Sequence, residues 1–140
     1  MKKVLKLTAL LFIFSIIFAL SRTAADGLLT LNEIKVPANK GTYITSSREK
    51  ISFDTVQCVQ KKWAKDALTG VARSVDAKVW GQTGGSTDTD WLTTTTSYKN
   101  LGSSANLPGS YVMYLQATKL AVTAVTFYGY WVYEAPSTLC

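Results

Sequence analysis

The chain has 140 residues, a formal net charge of +6, two cysteines and no histidine. The lack of histidine excludes Ser-His-Asp and Cys-His catalysis and removes the commonest metal ligand, and two cysteines are too few for a structural zinc site. The sequence also has no glycine-rich phosphate loop followed by lysine and no dinucleotide-binding fingerprint.

Residues 1–25 are typical of a secretory signal peptide. A lysine-rich start precedes an uncharged, apolar run of 14 residues (7–20), and small residues follow, so we expect cleavage after Ser21 or Ala25. A bilayer crossing needs about 20 apolar residues, and the shorter run therefore favours a cleaved leader over a membrane anchor. We predict a secreted protein in which residues 26–140 form a single β-rich domain.

Much of the positive charge belongs to this leader. Lys2, Lys3, Lys6 and Arg22 are four of the 15 basic residues, while all 9 acidic residues lie after position 25, so the processed chain would carry a net charge of +2. So small a charge is weak evidence for an anionic partner, and we expect no nucleic-acid binding.

The two cysteines, Cys58 and Cys140, predict one disulfide in an exported chain. A reactive or intermolecular thiol at the C-terminus is the alternative. A bridge would close a loop of about 80 residues and stabilise the fold by about 4 kcal/mol in the chain-entropy model.

Alternation of apolar and polar residues predicts strands along most of the remaining chain. In chain order, the predicted strands are LLTLNEIKV, KISFD, VARSVDAKVW, DWLTTTTSYKN, GSYVMYLQAT and AVTAVTFYGYWVYE. Loops rich in Gly, Ser, Asn and Pro separate them at 37–41, 81–90 and 101–110, and Pro136 is expected to end the last strand. This pattern predicts a mainly β fold, a small antiparallel β-sandwich or barrel of about seven or eight strands.

The segment DTVQCVQKKWAKDALTG is compatible with either a strand or a helix. As a strand it would turn Val56 and Cys58 to one side. As a helix it would present one apolar face, formed by Val56, Val59, Trp63 and Ala67. We favour a strand over 50–60 with at most a short helix near 62–69, and one short helix near 55–69 remains an alternative.

The last predicted strand is rich in aromatic residues. Phe127, Trp131 and Tyr133 alternate onto one face, which predicts that they pack in the core. Tyr128 and Tyr130 lie on the other face, and because that face is apolar too, we expect a central strand covered on both sides. In the competing interpretation, an exposed platform stacks on sugar rings or on a membrane interface, with Tyr128, Tyr130 and Trp91 as its candidate residues.

Asp88 and Asp90, in STDTDW, are the candidate carboxylate pair. Turn and cap roles are favoured, because Asp satisfies nearby backbone N–H groups in loops. Ca²⁺ binding is an alternative, and glycoside hydrolysis with Glu134 or Asp54 is the weakest interpretation. We therefore expect no enzymatic activity and no cofactor, with Ca²⁺ left open.

These features favour a secreted, non-enzymatic β-sandwich domain that binds an extracellular glycan, the cell wall or a protein. Its contacts would come from the loops 81–91 and 101–110, since binding residues cluster on loops held by a rigid scaffold. The alternative is a secreted antibacterial, membrane-active protein, supported by small size, residual positive charge and the Tyr/Trp-rich C-terminal strand. Membrane contact is expected only in this alternative.

Two resemblances accompany these hypotheses. In being short, leader-bearing, all-β and aromatic at its end, the chain resembles the lactococcin-972 type of exported bacteriocin, although it is longer and lacks histidine. The strand pair GSYVMYLQA and VTFYGYW is similar to those of small exported β-sandwich proteins of low-GC bacteria. Neither resemblance implies a site residue.

Overall fold

The computed structural model describes residues 27–84, 88–118 and 121–140, and the predicted signal peptide lies outside them. The described residues form nine strands and a single short 3₁₀ helix, Ser103–Asn106. The strands are β1 (Leu28–Val36), β2 (Thr42–Ile44), β3 (Arg48–Lys50), β4 (Thr55–Asp66), β5 (Val75–Gly84), β6 (Leu92–Thr93), β7 (Lys99–Asn100), β8 (Gly109–Ala117) and β9 (Val125–Pro136). Within these ranges no helix is long and apolar enough to cross a membrane.

The strands form two antiparallel sheets that pack as a sandwich, which confirms the predicted fold class. The first sheet has the strand order β1-β9-β4-β7. The second has the order β2-β8-β5-β6, and β3 also pairs with β8. The chain crosses repeatedly from one sheet to the other, so β8 and β9, which are consecutive, lie in opposite layers.

Alternate residues of three strands supply most of the interior. These fully buried side chains are Val75, Ala77 and Val79 of β5, Tyr111, Met113 and Leu115 of β8, and Phe127 and Trp131 of β9. Burying a large apolar side chain stabilises a fold by about 1.5–3 kcal/mol, so the alternation fixes which face of each strand points inward. The predicted core faces of β5, β8 and β9 are confirmed.

The segment that was compatible with strand or helix is a strand throughout β4, so the alternative helix near 55–69 is wrong. β4 pairs with β9 from Thr55 to Asp66, with irregularities between Val56 and Cys58 and between Lys61 and Trp63. Such bulges add a residue and change which face the next side chain occupies. The interrupted alternation is what made the segment resemble a helix.

Two other predicted strands differ from the structure. In the segment KISFD, Lys50 ends β3 and the other residues form a loop, whose apolar residues Ile51 and Phe53 are 79% and 74% exposed. Glu134 holds this loop by accepting hydrogen bonds from the N–H groups of Ile51 and Ser52. The threonine-rich segment DWLTTTTSYKN forms two short strands, β6 and β7, which belong to different sheets.

β9 is flanked by β1 and β4, so its predicted central position is confirmed. The expected cover on both faces is wrong for the described part of the chain. Tyr128 and Tyr130 are half-buried on the outer face of the first sheet, where they pack against each other and no described element lies over them.

The C-terminus is fastened to β4 by a disulfide between Cys58 and Cys140, whose Cα atoms are 6.2 Å apart. Cys58 is fully buried, and it lies in a small apolar cluster with Val56 and Ala135. The predicted pairing is present in the structure, and it joins residues with a sequence separation of 82.

Candidate ligand-binding face

Four side chains form a cluster on the outer face of the second sheet, which we call the Trp80 face: Lys78, Trp80, Trp91 and Tyr114. Lys78 and Trp80 point outward from β5 because Ala77 and Val79, which alternate with them, point into the core. Tyr114 lies directly opposite Lys78 in the register of β5 and β8. Trp91 immediately precedes β6, which pairs with the other edge of β5.

The Lys78 ammonium group lies close to all three aromatic rings. Its Nζ atom is 5.3 Å from the ring centroid of Trp80, 5.1 Å from that of Trp91 and 5.6 Å from that of Tyr114. The Trp80 and Tyr114 centroids are 5.6 Å apart, with 31° between the ring planes. Each cation–π contact contributes about 0.5–1 kcal/mol at an exposed site, so one lysine holds three rings together as a single surface.

This surface leaves much aromatic area in water. Trp80 is 44% exposed and Trp91 is 40% exposed, whereas Trp131 is fully buried and Trp63 is half-buried. Exposed apolar clusters of this kind mark interaction sites more often than isolated exposed side chains do. Trp80 and Trp91 are therefore the two tryptophans best placed to meet a ligand.

Hydrogen bonds fix the segment that carries Trp91. Thr89 is buried against β5, where its hydroxyl accepts a hydrogen bond of 3.0 Å from the N–H of Val79, and its own N–H donates one of 3.0 Å to the Val79 carbonyl. Asp88 Oδ1 accepts a hydrogen bond of 3.0 Å from the N–H of Gly81. These contacts place Trp91 beside Lys78 without needing a regular strand.

Polar groups lie along the same face. Asp76 precedes Lys78 by two positions on β5, and its Oδ1 accepts a hydrogen bond of 2.7 Å from the Thr93 hydroxyl. Gln116 is the register partner of Asp76, and its Nε2 donates to the Lys40 carbonyl at 2.9 Å. The face therefore combines flat apolar rings with hydrogen-bonding side chains at their edge.

The structure divides the predicted platform residues between opposite sides of the sandwich. Trp91 belongs to the Trp80 face, while Tyr128 and Tyr130 lie on the outer face of the first sheet with Trp63. The Trp63 and Tyr128 centroids are 6.0 Å apart. The hydroxyls of Tyr128 and Tyr130 are 3.0 Å apart, and this hydrogen bond raises the pKa of Tyr128. These three rings form a separate cluster, named here the Tyr128 face.

The carboxylates considered for catalysis are dispersed. Asp88 and Asp90 are exposed on the segment before β6, and the hydrogen bond from Gly81 to Asp88 matches the predicted turn role. Glu134 is used at the 51–54 loop, where it also accepts a hydrogen bond from the Thr55 hydroxyl. Among the residues that the structure describes, no three His, Cys, Asp or Glu side chains form a group that could hold a metal. Calcium binding at Asp88 and Asp90 stays a prediction.

Three members of the Trp80 face were missed in the sequence, although a signal for two of them was present. Trp80 continues the even-numbered, solvent-facing positions of β5, and Tyr114 lies between the core residues Met113 and Leu115 of β8. Large aromatic residues at outward positions of a strand indicate a surface role. The contact of Lys78 with the Trp80 and Tyr114 rings depends on the register of β5 and β8, which could not be predicted from the sequence alone.

Comparison of the chain with protein-family models, with curated proteins and with solved structures finds no match.

Proposed function

We propose that the protein is a binding domain for extracellular polysaccharide and that the Trp80 face is its binding surface. The observation that carries the proposal is the pair of exposed indoles, Trp80 and Trp91, which both lie close to the Lys78 ammonium group. A pyranose ring has an apolar C–H face and a rim of hydroxyls, so it matches a flat aromatic surface with polar groups at the edge.

The polar side chains have complementary roles in this proposal. Lys78 has three N–H donors, which could bind sugar hydroxyls where they project past the rings. Asp76 supplies carboxylate acceptors at the next outward position of β5, and its hydrogen bond to Thr93 orients it. Stacking would thus give affinity for sugar rings in general, and the lysine and carboxylate would favour particular hydroxyl arrangements.

The expected location is consistent with such a ligand. Disulfides persist in oxidising compartments, so the bond between Cys58 and Cys140 is compatible with an extracellular protein. Export through the predicted leader would bring the Trp80 face to cell-wall and matrix polysaccharides. No catalytic role is included in the proposal.

Affinity electrophoresis in gels that contain soluble polysaccharides, together with pull-down on insoluble cell-wall fractions, tests this function. We expect Trp80→Ala and Trp91→Ala each to weaken retardation by about tenfold, since each removes a ring that stacks on the ligand. Trp63→Ala is the matched control, because it removes a half-buried tryptophan from the Tyr128 face. Equal retardation of all three variants and the parent chain would contradict the proposal.

A further inference from the structure

Three loops meet at one end of the sandwich, and we call this surface the basic end: residues 37–41, 67–74 and 121–124. Their common position follows from the strand register. Val125, the first residue of β9, pairs with Val36 at the end of β1 and with Asp66 at the end of β4. The loops that follow β1 and β4 and the one that precedes β9 are therefore neighbours.

Hydrogen bonds join the loops of the basic end. The N–H of Asn39 donates to the Ala121 carbonyl at 2.9 Å, and the N–H of Ala67 donates to the Ala124 carbonyl at 2.9 Å. Asp66 lies beneath them and is 2% exposed. Its Oδ1 accepts hydrogen bonds of 3.0 Å from the N–H groups of Leu68 and Thr69. Hydrogen bonds between the loops and to the buried Asp66 carboxylate thus fix the backbone of this end.

The basic end presents apolar side chains to water. Leu68 is 80% exposed, Val122 is 74% exposed and Val71 is 53% exposed. Leu68 and Val71 lie on the turn that Asp66 organises, and Val122 lies beside Ala121 on the adjoining loop. A single exposed apolar side chain is ordinary, but three of them on adjoining loops at one end of the sandwich are the pattern that marks an interaction surface.

The charges around these side chains are basic. Lys40 is exposed next to Asn39, Lys65 is exposed at the end of β4, and Arg73 follows Val71 in the same loop. Asp66 is the one acid in the described residues of these three loops and at the adjoining ends of β1, β4 and β9, and it is buried and paired with Arg73 at 3.4 Å. An anionic surface would therefore meet cations without exposed carboxylates.

The opposite end of the sandwich provides a contrast. The loop of residues 51–54 exposes Ile51 and Phe53 to a similar degree, but its own charged residue is the exposed Asp54, and the Glu134 carboxylate that holds the loop lies near the buried Lys50. Apolar exposure alone thus does not distinguish the two ends. The two ends differ in the sign of the exposed charge beside these apolar residues, and an anionic partner would be attracted to the end with exposed lysines.

We propose that the basic end docks on an anionic lipid surface. Leu68, Val71 and Val122 would enter the boundary between headgroups and acyl chains, while the exposed Lys40 and Lys65 would face the lipid phosphates. The combination of apolar burial with attraction to anionic headgroups is what holds peripheral proteins on membranes. The proposal uses a different surface from the Trp80 face and does not depend on polysaccharide binding.

Co-sedimentation with vesicles tests this docking. The chain lacking residues 1–25 is suitable because the first strand begins at Leu28, and an apolar leader would otherwise bind lipid by itself. We expect binding to vesicles of equal parts phosphatidylcholine and phosphatidylglycerol, little binding to phosphatidylcholine alone, and weaker binding at high salt. Absence of binding to the anionic vesicles would overturn the proposal.

Paired variants locate the contact. Leu68→Ser with Val122→Ser should lower the vesicle partition coefficient by at least about tenfold, since each exposed side chain loses its apolar burial. Ile51→Ser with Phe53→Ser, in the 51–54 loop at the opposite end, is the matched control and should leave the coefficient unchanged. Loss of binding in the control pair, or equal binding in both pairs, would overturn the proposal. Trp80→Ala should bind vesicles normally, so failure of polysaccharide binding can be told apart from failure of docking.

Discussion

The indole N–H of Trp131 donates a hydrogen bond of 3.0 Å to the side-chain oxygen of Gln57 in the interior of the sandwich. Both side chains are fully buried. The side-chain amide nitrogen of Gln57 in turn donates to the Ala105 carbonyl at 2.9 Å. The backbone carbonyl of Gln57 accepts a hydrogen bond of 2.8 Å from the N–H of Leu101. A buried glutamine thus links the aromatic strand β9 to the segment between β7 and β8.

Removing this link should destabilise the fold. Gln57→Leu keeps the side-chain size but leaves the Trp131 N–H and the Ala105 carbonyl without their buried partner. Each such group costs about 1–3 kcal/mol, so we expect the free energy of unfolding to fall by about 2–4 kcal/mol in urea titrations. Gln60→Leu, at a half-buried position of the same strand, is the control and should cost less than about 1 kcal/mol. Equal losses in both variants would contradict this role of Gln57.

Gly129 lies in the middle of β9, where the aromatic residues are most dense. A Cβ atom at this position would overlap the backbone oxygen of Gln60 and contact the Phe127 ring, so any side chain would force β9 away from β4. We predict that Gly129→Ala lowers the melting temperature far more than Gly70→Ala, whose added Cβ has open space and only a positive φ of 71° to accommodate. A similar decrease for both variants would show that close packing at Gly129 is unimportant.

The sequence predicted the inner faces of the strands whose core residues alternate. In β5, β8 and β9 the core-facing side chains alternate without interruption at the positions described, so period-two patterning identifies their inner faces. In β4 two bulges interrupt the alternation, and a local pattern then fits a helix as well as a strand.

The parts that sequence did not predict depend on contacts between distant residues. The short strands β6 and β7 are placed by hydrogen bonds from the N–H of Thr94 to the Val75 carbonyl and from the N–H of Leu101 to the Gln57 carbonyl. Neither partner is near in sequence, and the threonine run carries no apolar pattern of its own. The Trp80 face likewise forms only because β5 and β8 are in register. Local patterning could indicate Trp80 and Tyr114 as exposed, but it could not indicate that they meet.

Asp66 should give the fold an acid-sensitive component of stability. The nearby Thr123 hydroxyl and the hydrogen bonds from the N–H groups of Thr69 and Leu68 hold the pKa of this carboxyl well below its usual range, although burial opposes them. An unfolded Asp titrates near about 3.9, so this stabilisation is complete above about pH 5 and is lost as the pH falls through the folded-state pKa.

Asp66→Asn removes the charged acceptor and tests this pH dependence. We expect the variant to be less stable than the parent chain at neutral pH, with a difference that shrinks progressively below about pH 4. Denaturant titrations at several pH values measure it, with Asp54→Asn as the control at an exposed position. A difference between parent and Asp66→Asn that is independent of pH would contradict the assignment.

The disulfide should stabilise the fold by lowering the conformational entropy of the unfolded chain. Because Cys58 and Cys140 are 82 positions apart, the chain-entropy model gives a contribution of about 4 kcal/mol. Cys140→Ser removes only the exposed partner, and we expect it to lower the free energy of unfolding by at most this amount. Reductant should produce the same decrease in the parent chain and no change in the variant. If reductant also lowered the free energy of unfolding of Cys140→Ser, the effect of reductant would not come from the bond between Cys58 and Cys140.

The membrane-active alternative that the C-terminal strand suggested stays a prediction. The aromatic residues of that strand are divided between the core and the Tyr128 face, and the exposed apolar residues of the basic end come from loops instead. Dye leakage from vesicles, measured beside co-sedimentation, distinguishes a protein that disrupts membranes from one that only binds them. We expect binding without leakage, because docking by three loop side chains leaves the sandwich outside the acyl region.

The most direct measurement for the polysaccharide-binding proposal uses the four tryptophans, which lie in three separate environments. Trp80 and Trp91 share the Trp80 face, Trp63 lies on the Tyr128 face, and Trp131 is buried in the core. The indole N–H signals of ¹⁵N-labelled protein can be followed by NMR while a polysaccharide retained in affinity gels is added. We predict that the Trp80 and Trp91 signals shift together and saturate, with Trp63 and Trp131 unchanged. Movement of the Trp63 signal while Trp80 and Trp91 stay fixed, or no movement of any signal, would contradict the account.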